Sequence, residues 1–213
     1  MKWEGLLNIV VNEPVFTSSL LMAGTVSSVD IRRQLSRWVR AGRIIPLRRG
    51  IYTLSPPYRK IEPQPFLLAN SMKAASYVSL QSALAYYGMI PEYTPVTTSV
   101  TTGRPENIET QFGTFSFSHI KKSWFSGYQQ AEVSPGQAAF LATPEKCLLD
   151  LVYLTPGADS LKYLRELRLQ NLDRLDLHEL LLIAQGSHRP KIIRAAERIR
   201  NLAVEEKDTY DKA

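Results

Sequence analysis

The chain of 213 residues has one cysteine, Cys147, so it can close no disulfide within itself. Its three histidines, His119, His178 and His188, are scattered, and with a single cysteine they offer no zinc-holding spacing. There is no run of eighteen or more apolar residues, which excludes a spanning helix. Met1-Lys2-Trp3-Glu4 leads into an amphipathic segment, not the apolar stretch of a signal peptide. Together these absences set the expectation of a reducing, cytoplasmic setting with no membrane partner. No Gly-x-x-x-x-Gly-Lys phosphate loop occurs, and Gly103-Arg104-Pro105 reads as a turn. Glu145 and Asp150 lie five apart, too far round a helix to work as a facing pair. Since no nucleophile–base pair assembles from motifs, the chain is not expected to be an enzyme and no cofactor or metal is expected.

Acid is scarce in one place above all. Between Asp30 and Gly50 there are seven arginines, Arg32, Arg33, Arg37, Arg40, Arg43, Arg48 and Arg49, and Asp30 is the lone carboxylate. Ile31, Leu35, Trp38 and Val39 recur at helical intervals and can face a core. Arg33, Arg37 and Arg40 fall on the opposite side, with Arg32 and Ser36 beside them. The formal charge of +6 is just as uneven. Residues 1–60 hold ten Lys/Arg against three Asp/Glu, residues 61–158 five against seven, and residues 159–213 eleven against ten. The whole excess therefore sits in the first sixty residues, which points to a dedicated nucleic-acid module and not to a generally basic surface.

The elements read as α/β (α+β). Trp3 to Val11 is a helix with Trp3, Leu6, Leu7 and Val10 on one face. Thr17 caps a short helix, Ser18 to Ala23, that ends at Gly24. Ser27 or Ser28 caps a third helix that stops at Gly42. Residues 43–54 then read as two strands around a turn. Three helices closed by a hairpin give the winged helix-turn-helix order, expected over residues 1–55. Ser28, Arg32, Arg33 and Arg37 are the candidates for base edges. Arg40, Arg43, Arg48 and Arg49 are the candidates for phosphates. Trp38 reads as core rather than as a stacking platform; Tyr52, flanking the hairpin, fits either role.

Pro56, Pro57, Pro63 and Pro65 mark residues 56–65 as a linker, followed by a larger mixed α/β domain over 66–213 that ends in several helices. Expected helices are Phe66 to Lys73, Leu80 to Tyr87 capped by Ser79, and one that starts at Thr143-Pro144-Glu145 and runs to about Leu154. Three more span Leu161 to Leu169, Leu177 to Gln185 and Lys191 to Val204, the last buried along Ile192, Ala196, Ile199 and Ala203. Pro95 to Thr102 reads as a strand, and Gln111 to Ile120 as a hairpin bent at Gly113. The tail from Glu205 to Ala213 is polar and expected to fray. His119 and Cys147 read as structural residues. Lys162, Arg165 and Arg168 form one basic stripe, and Lys191, Arg194 and Arg198 another. Each is either a solvated helix face or a second patch for DNA or an acidic partner.

Several stretches, taken in order, resemble the AbiEi-type antitoxins of bacterial abortive-infection (type IV) toxin–antitoxin systems. Arg48-Arg49-Gly50-Ile51-Tyr52 is similar to that family's wing. Tyr77 to Gly88 is similar to the entry helix of its second domain, and Val96 to Thr101 with Phe115-Ser116-Phe117 to its strands. Ala142 to Leu151 resembles its signature, with Cys147 where alanine is typical. The resemblance spans roughly residues 3–200. It implies a repressor that binds inverted repeats in double-stranded operator DNA upstream of its own operon, and an antitoxin that counters a cognate nucleotidyltransferase toxin. Two other readings of the residues stay open. One is a winged-helix transcription factor whose larger domain senses a ligand; the other, weaker, is a nucleic-acid-processing enzyme.

Overall fold

The computed structural model describes residues 1–22 and 27–210 and is mixed α/β. The first fifty-odd residues run α1 (Trp3–Val10), β1 (Phe16–Thr17), α2 (Ser18–Met22), α3 (Ser28–Arg40), β2 (Ile44–Arg48) and β3 (Ile51–Leu54). Leu6 and Val10 of α1 and Ile31, Leu35 and Trp38 of α3 are buried together with Phe16, Leu21, Ile44 and Leu54. The spacing of the apolar side chains thus selects the inward face of both helices. Thr17 caps α2 as expected, its hydroxyl accepting from the Leu20 amide at 3.3 Å. The expected stop of that helix at Ala23 and Gly24 lies outside the described residues.

The strands form an antiparallel sheet in the order β1-β3-β2. Pro46 lies on its edge strand, where a missing amide costs no ladder bond. Gly50, at φ +80°, closes the turn; a side chain there would also press within 3.0 Å of the Ser18 hydroxyl. The sheet serves two cores. Ile44 and Leu54 are buried in the small one, with Tyr52 packed against it. Leu47 is buried in the large one, with Ile51 packed against that side. The pairing shifts register between Pro46 and Arg48, and a bulge of this kind re-aims the side chains around it.

The rest of the chain continues α4 (Pro65–Met72), β4 (Ser76–Val78), α5 (Leu80–Tyr86), β5 (Val96–Thr101), β6 (Glu106–Thr110), β7 (Gly113–His119), β8 (Tyr128–Ser134) and β9 (Gln137–Ala142). Four helices follow: α6 (Pro144–Leu154), α7 (Leu161–Glu166), α8 (Leu177–Gly186) and α9 (Pro190–Tyr210). Its sheet has the order β6-β7-β5-β4-β9-β8, with β5/β7 and β4/β9 parallel and the other neighbours antiparallel. Thr143 caps α6 by accepting from the Lys146 amide, and the expected stripe Ile192, Ala196, Ile199 and Ala203 is buried.

Several local expectations change. The hairpin around Gly113 begins earlier, because residues 106–110 pair with β7. Strands β1, β4, β8 and β9 were not expected from the sequence, and Tyr77 and Val78, taken with the helix that follows, lie in β4. Ser79 stands at the start of α5 but makes no capping bond there. α9 runs through the polar residues 205–210, where Glu206 accepts from the Leu172 amide at 3.0 Å. Glu and Lys are good helix formers, so polarity alone does not end the element.

The proline-rich segment is tied down along its length. Gln137 donates to the Glu62 carbonyl at 2.9 Å and accepts from the Gln64 amide at 2.9 Å. Arg59 pairs with Glu62 at 2.7 Å and lies 5.1 Å from the Phe112 ring centre.

Candidate nucleic-acid interface

α3 is thirteen residues long, about 20 Å at the usual helical rise. Asp30 lies in its first turn and Arg37 and Arg40 in its last, so each charge complements the helix dipole. Its exposed side divides into two rows. Arg32, Ser36 and Arg40 face the hairpin and, with Arg49, Gly50, Tyr52 and Ser18, line an open concavity of about 660 Å³. Val29, Arg33 and Arg37 form the outer row and are exposed. Ser28 is exposed at the start of the helix. Arg33 stands 3.7 Å from Asp30, but both are more than half exposed, and a pair of that kind does little to neutralise a cation.

The interior side holds these rows in place. Trp38 is 6% exposed and meets Trp3 edge to face at 5.4 Å between ring centres. Trp3 meets Tyr58 in the same manner at 5.0 Å. Tyr52 stacks on Phe16 at 5.8 Å and still lines the concavity, so it serves both core and surface.

The structure does not bring all the expected cations to this face. Arg43 is half-buried, its guanidinium 5.1 Å from the Trp3 ring centre. Arg48 turns to the larger unit and bonds the Glu106 carboxylate at 3.0 Å. Lys73 bonds the same carboxylate and donates to the Arg104 carbonyl at 2.9 Å. The hydrogen bond from Lys73, and then that from Arg48, hold the Glu106 carboxyl below its ordinary range.

The basic stripe of Lys191, Arg194 and Arg198 is not a free patch. Arg194 bonds the Asp159 carboxylate at 2.8 Å, Arg198 donates to the Asp159 carbonyl, and Lys191 donates to the Thr155 carbonyl at 2.6 Å. This stripe fastens the turn before α7. Lys162 faces Glu166 at 3.9 Å, Arg165 faces Glu205 at 3.7 Å and Arg168 faces Glu92 at 3.5 Å. Lys191, Arg194 and Arg198 are thus engaged within the chain, while Lys162, Arg165 and Arg168 stand in exposed pairs of the same loose kind as Arg33 and Asp30.

A buried charge network escaped the sequence reading. Asp150, with no exposed surface, accepts from the Trp124 indole at 2.7 Å, the Ser79 hydroxyl at 2.8 Å and the Tyr77 hydroxyl at 3.0 Å, and pairs with Lys146. Lys146 is also fully buried, 4.3 Å from the Trp124 ring centre and 2.9 Å from the Tyr77 hydroxyl. Burial drives the Asp150 carboxyl up and the Lys146 ammonium down, each opposed by its partner. Burial, then the Asp150 charge, pushes the Tyr77 hydroxyl up. Such shifts often mark catalytic groups, but these are sealed from solvent and act here as a structural tie. Gly127, at φ +70°, completes the seal, since a side chain there would press within 3.0 Å of the Lys146 stem. The i, i+4 spacing of Lys146 and Asp150 within an apolar run was the available signal. Cys147 is fully buried, and His119 bonds the Gly103 carbonyl at 2.8 Å, both as structural residues.

Among the described residues no helix is long and apolar enough to cross a membrane. Among them, no group of three or more His, Cys, Asp or Glu could hold a metal ion. No protein-family model matches the chain, and no curated protein shows significant similarity to it.

Proposed function

We propose that residues 1–55 form a winged helix-turn-helix that binds double-stranded operator DNA, and that the protein is a repressor of its own operon and an antitoxin with no catalysis of its own. The observation that carries the DNA reading is the concavity between α3 and the hairpin. It is lined by Arg32, Arg40 and Arg49 on a buried aromatic support. The order helix, strand, helix, helix, hairpin suits a helix presented to the major groove with a wing beside it. Arg33 and Arg37 on the outer row would read guanine edges, and Val29 would meet a thymine methyl. Arg32, Arg40 and Arg49 would then straddle the phosphates that border the groove. Arg43 and Arg48 are engaged elsewhere and have a lesser share in this reading.

Mobility shifts on the upstream region test it. Arg33→Ala or Arg37→Ala is expected to cost about 1–3 kcal/mol on the specific site and relax base preference. Arg40→Ala or Arg49→Ala is expected to weaken all sequences alike and reduce the salt slope by about one unit. Unchanged binding in an Arg33/Arg37/Arg40/Arg49 quadruple alanine variant would remove the DNA reading.

The antitoxin half rests on the resemblance, above all on residues 142–151. With the small core given to DNA, the larger unit is left for a protein partner. The measurement is growth of cells expressing the cognate nucleotidyltransferase toxin that this reading requires. The full-length chain is expected to restore growth, and to do so equally well with the four arginines replaced. Operator binding without rescue would leave a repressor only.

A further inference from the structure

We infer that Glu106 is a specificity-setting residue: by holding Arg48 against the larger unit it withdraws one cation from indiscriminate phosphate contact. The inference rests on the DNA-binding reading. Arg48 and Arg49 are neighbours at the end of the hairpin yet have opposite surroundings. Arg49 is exposed on the α3 concavity, whereas Arg48 is bonded to Glu106 on β6. The packing around the pair favours this arrangement. Leu47, one residue before, is buried in the large core, and Ile51, which pairs with Arg48 across the hairpin, packs on it too. Lys73 bonds the same carboxylate from the other side and is itself mostly buried, which fixes where the carboxylate stands.

The latch is built to be competed for. Arg48 and Glu106 are each about one-third exposed, so a phosphate can reach the guanidinium. Taking Arg48 would strip the Glu106 carboxylate of one of its two cations. Non-specific affinity for a duplex grows with the number of phosphates neutralised, while base reading belongs to the side chains of α3. Holding one arginine back therefore lowers the background and leaves the site-specific contacts intact, which raises the ratio between them.

Glu106→Gln in the full-length chain tests this, with Glu106→Asp as the milder variant. The first probe is immobilised heparin, a polyanion that needs no operator; the second is a duplex of random sequence titrated with salt. Glu106→Gln is expected to elute from heparin at higher salt. One added phosphate contact also predicts a random-duplex affinity that gains about three- to fourfold more than the parent's between 200 and 50 mM salt. In the Arg48→Ala background the same substitution is expected to have no effect. Equal elution of parent and Glu106→Gln would overturn the inference. So would a gain that persists without Arg48, since it would come from Lys73 or from loss of the negative charge alone. A heparin gain that depends on Arg48, with no retention of any duplex, would uphold the latch and remove the DNA-binding reading. Operator binding with no Arg48-dependent gain would do the reverse.

Discussion

Asp150→Ala is expected to destabilise the larger unit by about 3–5 kcal/mol, because it strands a buried ammonium. The Asp150 carboxylate has three neutral donors besides Lys146: the indole of Trp124 and the hydroxyls of Tyr77 and Ser79. Lys146 has less to fall back on, namely the Tyr77 hydroxyl and the faces of Trp124 and Tyr77. Without its carboxylate the lysine must lose its proton or draw water into the core, and three further donors are left unpaired. Lys146→Met keeps those three bonds to the carboxylate and fills similar volume, so its loss is expected to be smaller than that of Asp150→Ala. Urea unfolding followed by circular dichroism measures both. A loss under about 1 kcal/mol for Asp150→Ala, within the range of an exposed pair, would show the network to be hydrated and the argument wrong.

The second large effect is expected at Trp38. Truncating a buried tryptophan to alanine costs about 3–5 kcal/mol, and here the loss falls on a core of nine buried side chains among the described residues. A core of that size has little stability in reserve. Trp38→Ala is therefore expected to melt α1, α3 and the hairpin at growth temperature and abolish retention of any duplex. The sheet of β4–β9 and its helices should stay folded, since Leu47 is the one buried residue that the hairpin lends to their core. Thermal unfolding should show an early transition for the variant, and Trp38→Phe should recover most of it. Normal operator binding by a folded Trp38→Ala would disprove the dependence of α3 on that aromatic support.

How far the sequence could be read follows from how local each signal is. The two faces of α3, the Thr143 cap of α6 and the buried stripe of α9 are written in residues within a few turns of one another, and the structure has them as expected. Strands β8 and β9 were missed for physical reasons. Tyr128-Gln129-Gln130 of β8 lies exposed at the sheet edge, so no alternation of apolar and polar residues marks it. Gln137 to Ala142 of β9 is rich in alanine, which does not distinguish strand from helix.

At the candidate interface the arginines were legible as exposed cations, but their company was not. The anions that hold Arg48 and Arg194 come from Glu106 and Asp159, tens of residues away. The Lys146–Asp150 pair reads in sequence like any i, i+4 surface pair. Its burial is decided by Tyr77 and Trp124, which the fold brings from β4 and from the turn after β7.

The hairpin that is a wall of two cores also has a fixed pairing frame. In a strand covered on one side only, a slip by one residue exposes one set of apolar side chains. Here a slip would withdraw Ile44 and Leu54 from the small core and, in the same motion, Leu47 and Ile51 from the large one. Two independent penalties thus guard a single alignment, and the position of Arg49 beside α3 is proofread by the packing of the whole chain.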